Sequence, residues 1–448
     1  MVSRVRILPR VSWEGGLVSA LPAISSDLSE TQPLRIAFFT ETFLPRIDGT
    51  VTRLCQTIRQ LRKLGHPLLV VAPHGDMDDF EGTSVEGVPG FPFPLYPELK
   101  LAVPRPSIGK ALLAFRPDLI HALHPILLGS AAFYYSSALR VPLVISYHAQ
   151  LPRWLHYYRL GGLEPLLWWG TRYAYNRADL VLCTSQPMQS LLRERGLERV
   201  QVWQRGVDTE NFHPRHASRE LRTRLTNGHP EDKLLLYVGR LSPEKEIERC
   251  RSILEAIPGL RLAIVGDGPH RRTLEQYFDS TPTYFSGYLR GRELASAFAS
   301  ADVFFMPSRT ETLGLVLLEA MAAGCPIVAV AEGGIVDIVQ DGVTGHLYDS
   351  KEPGAAVSAI RRLLSDSSHR EAIRRRARLD VENWGWAAAT KQLEGFYRDT
   401  LRSDQQLPHQ LAEHAGQGTS AKNICATLQI SRATLRRHTS SNRARTSP

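Results

Sequence analysis

Two separate series of short apolar runs, each alternating with helical stretches, constrain this chain more than any other feature. The first series is Leu34-Arg35-Ile36-Ala37-Phe38-Phe39, then 67–72, 118–122, 142–147 and 180–183. The second is 233–238, 261–265, 284–287, 302–306 and 326–330. Runs that are apolar along their length, not at every second residue, fit strands covered on both faces, as in parallel sheets. Between the first two runs, Val51, Leu54, Ile58, Leu61 and Leu64 fall on one helical face, giving a β-α-β unit. The expected class is α/β, with two Rossmann-like doubly wound domains facing a cleft and ligands at the carboxyl ends of the strands.

Residues 1–33 lack pattern. Their three arginines and the short apolar stretch broken by Pro22 only faintly resemble a signal peptide, so a disordered extension is expected. The domains are expected at 34–210 and 211–385, followed by a helix over 386–402 and a basic tail over 403–448. Residues 204–233 are polar and contain Gly206, Pro214, Gly228 and Pro230, so they read as a linker. In the tail, 420–428 and 430–438 read as two short helices, with Ser431 capping the second. They resemble the helix-turn-helix of site-specific recombinases, against which stands a disordered or vestigial basic tail. DNA is not the expected partner, because a DNA reader normally has a third helix or a dimer mate.

The net charge of +9 divides as 0 over 1–33, +4 over 34–210, +1 over 211–402 and +4 over 403–448. Neither large segment is basic enough for nucleic acid to be its main ligand. No apolar run reaches about 18 residues, so any membrane role is peripheral. The five cysteines are dispersed and lack metal-type spacing, which fits buried thiols in a reducing compartment.

The chemistry concentrates after two strands of the second series. Val303-Phe304-Phe305-Met306-Pro307 leads through Ser308-Arg309-Thr310-Glu311-Thr312-Leu313-Gly314 into an Ala/Leu-rich helix that stops near Gly324. Thr310 and Thr312 are candidate caps, placing the helix start close to Leu313. The free amides of Thr312, Leu313 and Gly314 and the helix dipole favour an anion such as a diphosphate. Glu311 and Glu319 bracket this turn, eight helical positions apart, which spans about 12 Å. One assignment gives Glu311 to sugar hydroxyls and Glu319 to a ribose. The other is a plain strand–turn–helix with one capping and one ion-paired glutamate.

Arg240 and Lys245 follow the strand at 233–238. Arg240 can fork onto phosphate oxygens and Lys245 supplies a compact charge, so together they can stabilise a departing diphosphate; alternatively both are loop surface cations. Gly239, and Gly266-Asp267-Gly268-Pro269 after the next strand, allow close backbone approach to a flat base. In the first series, Gly49 before a helix lets a phosphate or sugar approach from the other side. His148 ends a strand at the cleft edge, where it contacts a sugar or acceptor hydroxyl or caps a helix. Arg153, Tyr157, the Trp168-Trp169 pair and Arg172-Tyr173 suit a lipid headgroup interface, although a core helix also explains the tryptophans. Neither series opens with Gly-x-Gly-x-x-Gly and no Walker-type motif occurs, which disfavours a dinucleotide oxidoreductase and a P-loop nucleotidase.

The Glu311-to-Glu319 segment, Val238-Gly239-Arg240-Leu241 with Lys245, and Gly266-Asp267-Gly268-Pro269 resemble, in order and spacing, the retaining family 4 glycosyltransferases of GT-B architecture. Thr40-Glu41-Thr42-Phe43-Leu44-Pro45, 94–100, Trp203-Gln204-Arg205-Gly206-Val207-Asp208 and 384–390 are similar to the cyanobacterial-type sulfoquinovosyltransferase branch of that family. The resemblance covers about residues 34–402. It implies transfer of sulfoquinovose from UDP-sulfoquinovose to diacylglycerol, with an acceptor domain at 34–210 and a donor domain at 211–385. Arg240, Lys245, His148 and Glu311 would be catalytic. Gly49, Gly239, Gly266, Asp267, Gly268, Thr312, Leu313, Gly314 and Glu319 would hold the donor. Arg46, Arg153 and Tyr157 are candidates for the sulfonate or the acceptor. No metal or other cofactor is expected, and the implied location is cytoplasmic, peripheral at the cytosolic face of a membrane. The chain departs from the branch at Ala149-Gln150, where a Thr-His pair is usual, and at His124, where Asn is usual. A related lipid mannosyl- or glucosyltransferase is the nearest alternative; a nucleotide-sugar-binding regulator acting through the basic tail is one of another class.

Overall fold

The apolar runs become strands, and their neighbours in space are set by parallel pairing. The structure, a computed structural model, describes residues 32–45, 48–73, 77–93, 96–123, 125–148, 161–311, 313–415 and 420–439. From edge to edge the first sheet runs Val200–Val202, Leu180–Cys183, Leu143–Ser146, Leu119–Leu123, Ile36–Thr40, Leu68–Pro73, Thr83–Val88 and Asp79–Phe80. All its neighbouring pairs are parallel except the last. The second sheet is wholly parallel and runs Thr283–Gly287, Leu260–Val265, Lys233–Val238, Val303–Met306, Ile327–Val330 and His346–Tyr348. In each sheet the strand order reverses beside the first strand of the series, leaving a crevice at its carboxyl end.

Alternate residues of the first sheet serve two layers. Ala37, Phe39, Ile120, Ile145 and Val181 share a core with the helices Pro106–Phe115, Ala131–Leu139 and Glu164–Tyr175. His121, with its side chain on the other face, bonds the hydroxyl of Tyr397 through Nδ1 at 2.6 Å. Burial pushes this imidazole down to about 3, so it is neutral at physiological pH. Tyr397 belongs to the helix Trp386–Ala415, which returns from the second sheet to cover the first.

Residues 204–233 are not a free linker. Trp203, Arg205, Val207, Phe212, Leu221 and Leu225 are buried, and Arg219–Leu225 is a helix. The passage between sheets is held by Arg53 of the helix Gly49–Lys63, which donates from Nη2 to the carbonyls of Trp203 and Gln204 at 2.9 and 2.8 Å. Its guanidinium lies 3.5 Å from the centre of the Trp203 ring. The outgoing and returning segments run side by side: Val207 donates its N–H to the carbonyl of Trp384 at 2.8 Å. A Cβ on Gly206 would lie 2.5 Å from the Trp386 ring, so only glycine fits between them.

The tail also differs from expectation. The helix begun at Trp386 continues past 402 to Ala415, and the helices Ala421–Thr427 and Arg432–Thr439 follow. Ser431 caps the last as expected, accepting the N–H of Thr434 at 2.9 Å. This helix docks on the first sheet's end. Arg437 forms two 3.0 Å bonds to the Asp179 carboxylate and also bonds Asp404, while Thr434 donates to Asp179 at 2.6 Å. Thr434, Leu435 and Arg437 are buried, so that face is not presented to a DNA groove. Replacing Arg437 by Met removes the cation that two carboxylates share, leaving Asp179 with Thr434 and the Leu143 N–H and Asp404 with His438, and should lower stability by about 3 kcal/mol in chemical denaturation. Arg432→Ala, at an exposed position of the same helix, should change it by less than about 0.5 kcal/mol.

Candidate active site

The second sheet reverses between Lys233–Val238 and its neighbour Val303–Met306, so the loops after these strands flank its crevice. Arg240 and Lys245 come from one loop, Glu311 and Gly314 from the other. Lys245 Nζ lies 2.8 Å from Glu311 Oε2, and Glu311 Oε1 accepts the N–H of Gly314 at 2.9 Å. Burial alone would lower the Lys245 pKa, but the Glu311 charge and hydrogen bond outweigh it and hold the ammonium above its ordinary value. One glutamate thus caps the turn and pairs with the lysine.

Glu319 does neither. Its carboxylate makes no hydrogen bond or ion pair among the described residues, and burial pushes it up to about 8. A half-buried carboxyl without a protein donor is suited to accept ligand hydroxyls. The helix that carries Glu319 is Leu315–Ala322, starting two residues later than expected. Gly314 is the reason: it caps the helix at φ 60°, and a Cβ there would lie 2.5 Å from Ile338 Cδ1. Thr310 is buried and donates to the Glu244 carbonyl at 3.4 Å, so it caps nothing. Thr312 lies outside the described residues.

The glycine loops pack on each other. Gly239 donates to Val265 O and Leu241 to Asp267 O, each at 3.0 Å. A Cβ on Gly266 would be 1.9 Å from Gly239 O, so this position is glycine first for backbone-on-backbone packing. Gly268 likewise has no room beside the Leu241 carbonyl. Asp267 accepts the Gly268 N–H and pairs with Arg271 at 2.9 Å. Tyr237 donates to the Arg240 carbonyl at 3.2 Å, fixing the start of the cationic loop.

From the first domain, Gly49 opens its helix with Asp48 capping Val51 at 2.9 Å. A Cβ on Gly49 would sit 3.3 Å from Leu313 Cδ1, so this helix start meets the Glu311 turn across the crevice. His148 is buried beyond Leu143–Ser146, its ring centre 6.0 Å from that of Trp203. Arg46, Arg153 and Tyr157 lie outside the described residues, as do His124 and Ala149-Gln150.

Three residues had no site role assigned from sequence. Arg205 is buried behind the Glu311 turn and donates to Gly334 O at 3.3 Å; burial pulls its pKa down to about 10 against the opposing charges of Asp337 and Glu311. Asp337 accepts the N–H of Gln186 at 2.8 Å, tying the second domain to a helix start of the first. Glu41 accepts from the amides of Ile126, Leu127 and Gly129 at 2.8 Å each, shaping the loop after Leu119–Leu123. Arg205 and Glu41 stand in segments whose pattern was visible, but their partners lie far along the chain.

Residues 222–380 match the family Glycosyl transferases group 1, and residues 47–211 match Glycosyltransferase Family 4. The chain is 39% identical over 374 residues to the sulfoquinovosyl transferase SQD2 of Arabidopsis thaliana, covering 82% of this chain and 73% of that protein. It is 31% identical to a GDP-mannose-dependent alpha-mannosyltransferase of Corynebacterium glutamicum, over 84% of this chain and 92% of the relative. An alpha-monoglucosyldiacylglycerol synthase of Streptococcus pneumoniae is 26% identical, over 83% and 87%. Among solved structures, Anabaena Alr3699/HepE in complex with UDP and glucose superposes with a TM-score of 0.65 at 21% identity, covering 82% of this chain and all of that one. That likeness shows the GT-B fold.

Glu319 makes one prediction independent of substrate. Its carboxyl binds a proton more tightly in the folded chain, at about 8, than when unfolded, at about 4.3. It therefore costs stability progressively as pH rises from about 4 to about 8. Glu319→Gln should raise the melting temperature by several degrees at alkaline pH, and the gain should shrink towards pH 5. Melting curves of both proteins across pH test this; an equal difference at all pH values refutes it.

Proposed function

The chain belongs to the family 4, group 1 glycosyltransferases, a hexosyltransferase by its relatives, and from that premise we propose that it moves sulfoquinovose from UDP-sulfoquinovose to diacylglycerol with retention at the anomeric carbon. The observation that carries the choice of sugar is the 39% identity, over 82% of the chain, to a protein named a sulfoquinovosyl transferase.

In this reading the base of the donor lies against the Gly266–Gly268 edge and its ribose hydroxyls donate to Glu319. The diphosphate takes the amides at Thr312, Leu313 and Gly314 together with Arg240 and Lys245. The Gly314 amide and Lys245 are both engaged by Glu311 without donor. Donor binding therefore exchanges these partners: the diphosphate takes the amide and the ammonium, and Glu311 turns to sugar hydroxyls. The acceptor O–H attacks C1 as the C1–O bond to UDP breaks on the same face. The departing diphosphate takes the acceptor's proton, giving the glycolipid and UDP. Arg240 and Lys245 stabilise the charge that develops on the diphosphate, and the raised pKa of Lys245 keeps it cationic for that task. His148 positions the reacting sugar or acceptor. No step needs a metal. Arg46, Arg153 and Tyr157 remain the candidates for the sulfonate or acceptor. The proposed location is cytoplasmic, at the cytosolic face of a membrane; no helix among the described residues is long and apolar enough to cross one.

A lipid mannosyl- or glucosyltransferase is the second reading, favoured by the 31% and 26% relatives. Mass spectrometry of the lipid formed with UDP-sulfoquinovose, GDP-mannose or UDP-glucose separates the two; a product only with mannose or glucose refutes the proposal. Arg240→Ala should lower kcat by about a thousandfold while melting like wild type, and near-normal turnover refutes its role. The regulator reading, and any role for DNA, requires salt-sensitive DNA binding by the full chain that disappears when 420–448 are removed.

A further inference from the structure

The two adjacent tryptophans of the helix Glu164–Tyr175 have opposite fates. Trp168 is 8% exposed and lies in the core, its ring stacked 6.5 Å from that of Tyr147. Trp169 is 58% exposed and stacks on exposed Tyr173, ring centres 5.8 Å apart. Leu163, Leu166, Trp169 and Tyr173 fall at i, i+3, i+6 and i+10, and each is at least half exposed. This helix carries one apolar stripe inward and a second outward. The outward stripe has no cover among the described residues.

The neighbouring helices extend the surface. Pro106–Phe115 and Ala131–Leu139 cover the same face of the first sheet, contributing Ile108, Leu112, Ala131 and Ala132 to the core that holds Trp168. Outward they expose Leu113 and Tyr134. Their charge is one-sided. Across 105–116, 131–140 and 163–177 stand six exposed cations, Arg105, Lys110, Arg116, Arg140, Arg172 and Arg177. The one carboxylate, Glu164, accepts from Trp168 Nε1 at 3.1 Å and lies 3.9 Å from Arg195. Several of these cations stand at helix ends, framing the leucines and stacked aromatics.

Apolar side chains, interfacial aromatics and framing cations together match an anionic lipid surface: leucines enter the acyl boundary, Trp and Tyr sit at headgroup depth, and cations pair with lipid phosphates. Nucleic acid matches less well, because exposed leucines gain nothing against a phosphate backbone and the aromatics are already stacked on each other. We propose that the outer face of these three helices, centred on Leu166, Trp169 and Tyr173, docks the enzyme on anionic bilayers. This rests on the lipid acceptor of the proposed function. The helix Glu164–Tyr175 and His148 follow the same strand, Leu143–Ser146, in chain order.

The full chain should co-sediment with vesicles containing roughly a third phosphatidylglycerol and only weakly with pure phosphatidylcholine. The double variant Leu166→Ser/Trp169→Ser should lower partitioning about tenfold, and Lys110→Ser/Arg172→Ser should remove most of the preference for anionic lipid. If the first variant does not melt like wild type, Tyr134→Ser on the neighbouring helix carries the same expectation. The proposal is overturned if wild type does not bind anionic vesicles, if it pellets with DNA instead, or if folded variants bind like wild type. Transfer to detergent-dispersed diacylglycerol should be equal in wild type and Leu166→Ser/Trp169→Ser, whereas transfer to vesicles should fall in the variant. Variant-sensitive vesicle binding with no transfer in detergent would sink the proposed function and leave the docking face standing.

Discussion

Arg53 is the interaction on which the relation between the two sheets depends. It is fully buried, and burial with the nearby charge of Arg205 pulls its pKa down, yet a guanidinium starts so high that it stays charged. A buried cation without a carboxylate is expensive unless other groups replace its water. Two carbonyls do so for Nη2 and the face of Trp203 for the plane of the group, while Nε and Nη1 have no hydrogen-bond partner among the described residues, so the compensation is partial. Those carbonyls belong to the passage between domains, and Trp203 in turn donates to the Ala389 carbonyl of the returning helix at 3.1 Å. The helix that carries Arg53 begins at Gly49, against Leu313. One side chain thus links the first domain's cleft-facing helix, the outgoing crossover and the returning helix, which is why a polar segment that reads as a linker is packed.

The crevice shows how burial divides work between two identical side chains. Glu311 has a lysine and an amide within hydrogen-bond reach, and its charge holds the lysine's pKa up against the effect of burial. Glu319, eight residues on, has neither, and its carboxyl is pushed up. A plain capped helix would need one glutamate for the cap and another for an ion pair. Glu311 performs both, so no contact among the described residues accounts for Glu319. An unfulfilled carboxyl is maintained at a cost in stability, and ligand hydroxyls are the partners that would offset it.

Most of this architecture was legible because strands buried on both faces must be apolar along their length, which leaves a signal in sequence alone. The crevice followed from strand order, and Arg240, Lys245, Glu311 and Gly314 fell beside it because they directly follow strands. What escaped was what depends on distant partners or on backbone sign. The helix after Glu311 starts late because Gly314 takes a left-handed conformation that threonine caps do not anticipate. His121, Arg205 and Glu41 look like ordinary strand or loop residues until Tyr397, Gly334 and the 126–129 amides are brought to them. Trp168 and Trp169 are neighbours in sequence, and only the helix's orientation on the sheet separates core from surface.

The basic balance of the chain therefore says little by itself, because its cations answer to different surroundings. Arg53 is held by carbonyls and an aromatic face, and its value is positional. Arg437 is held by two carboxylates, which converts part of a basic tail into a docked helix. Lys245 is held by one carboxylate, that of Glu311, at the crevice. Those at 105–116, 131–140 and 163–177 are exposed around leucine and tryptophan, with one carboxylate among them already engaged. Of these four settings the last combines accessibility with an apolar stripe, which is why the proposed membrane contact lies there and not at the tail, although the tail's share of the net charge is as large as that of the whole first domain.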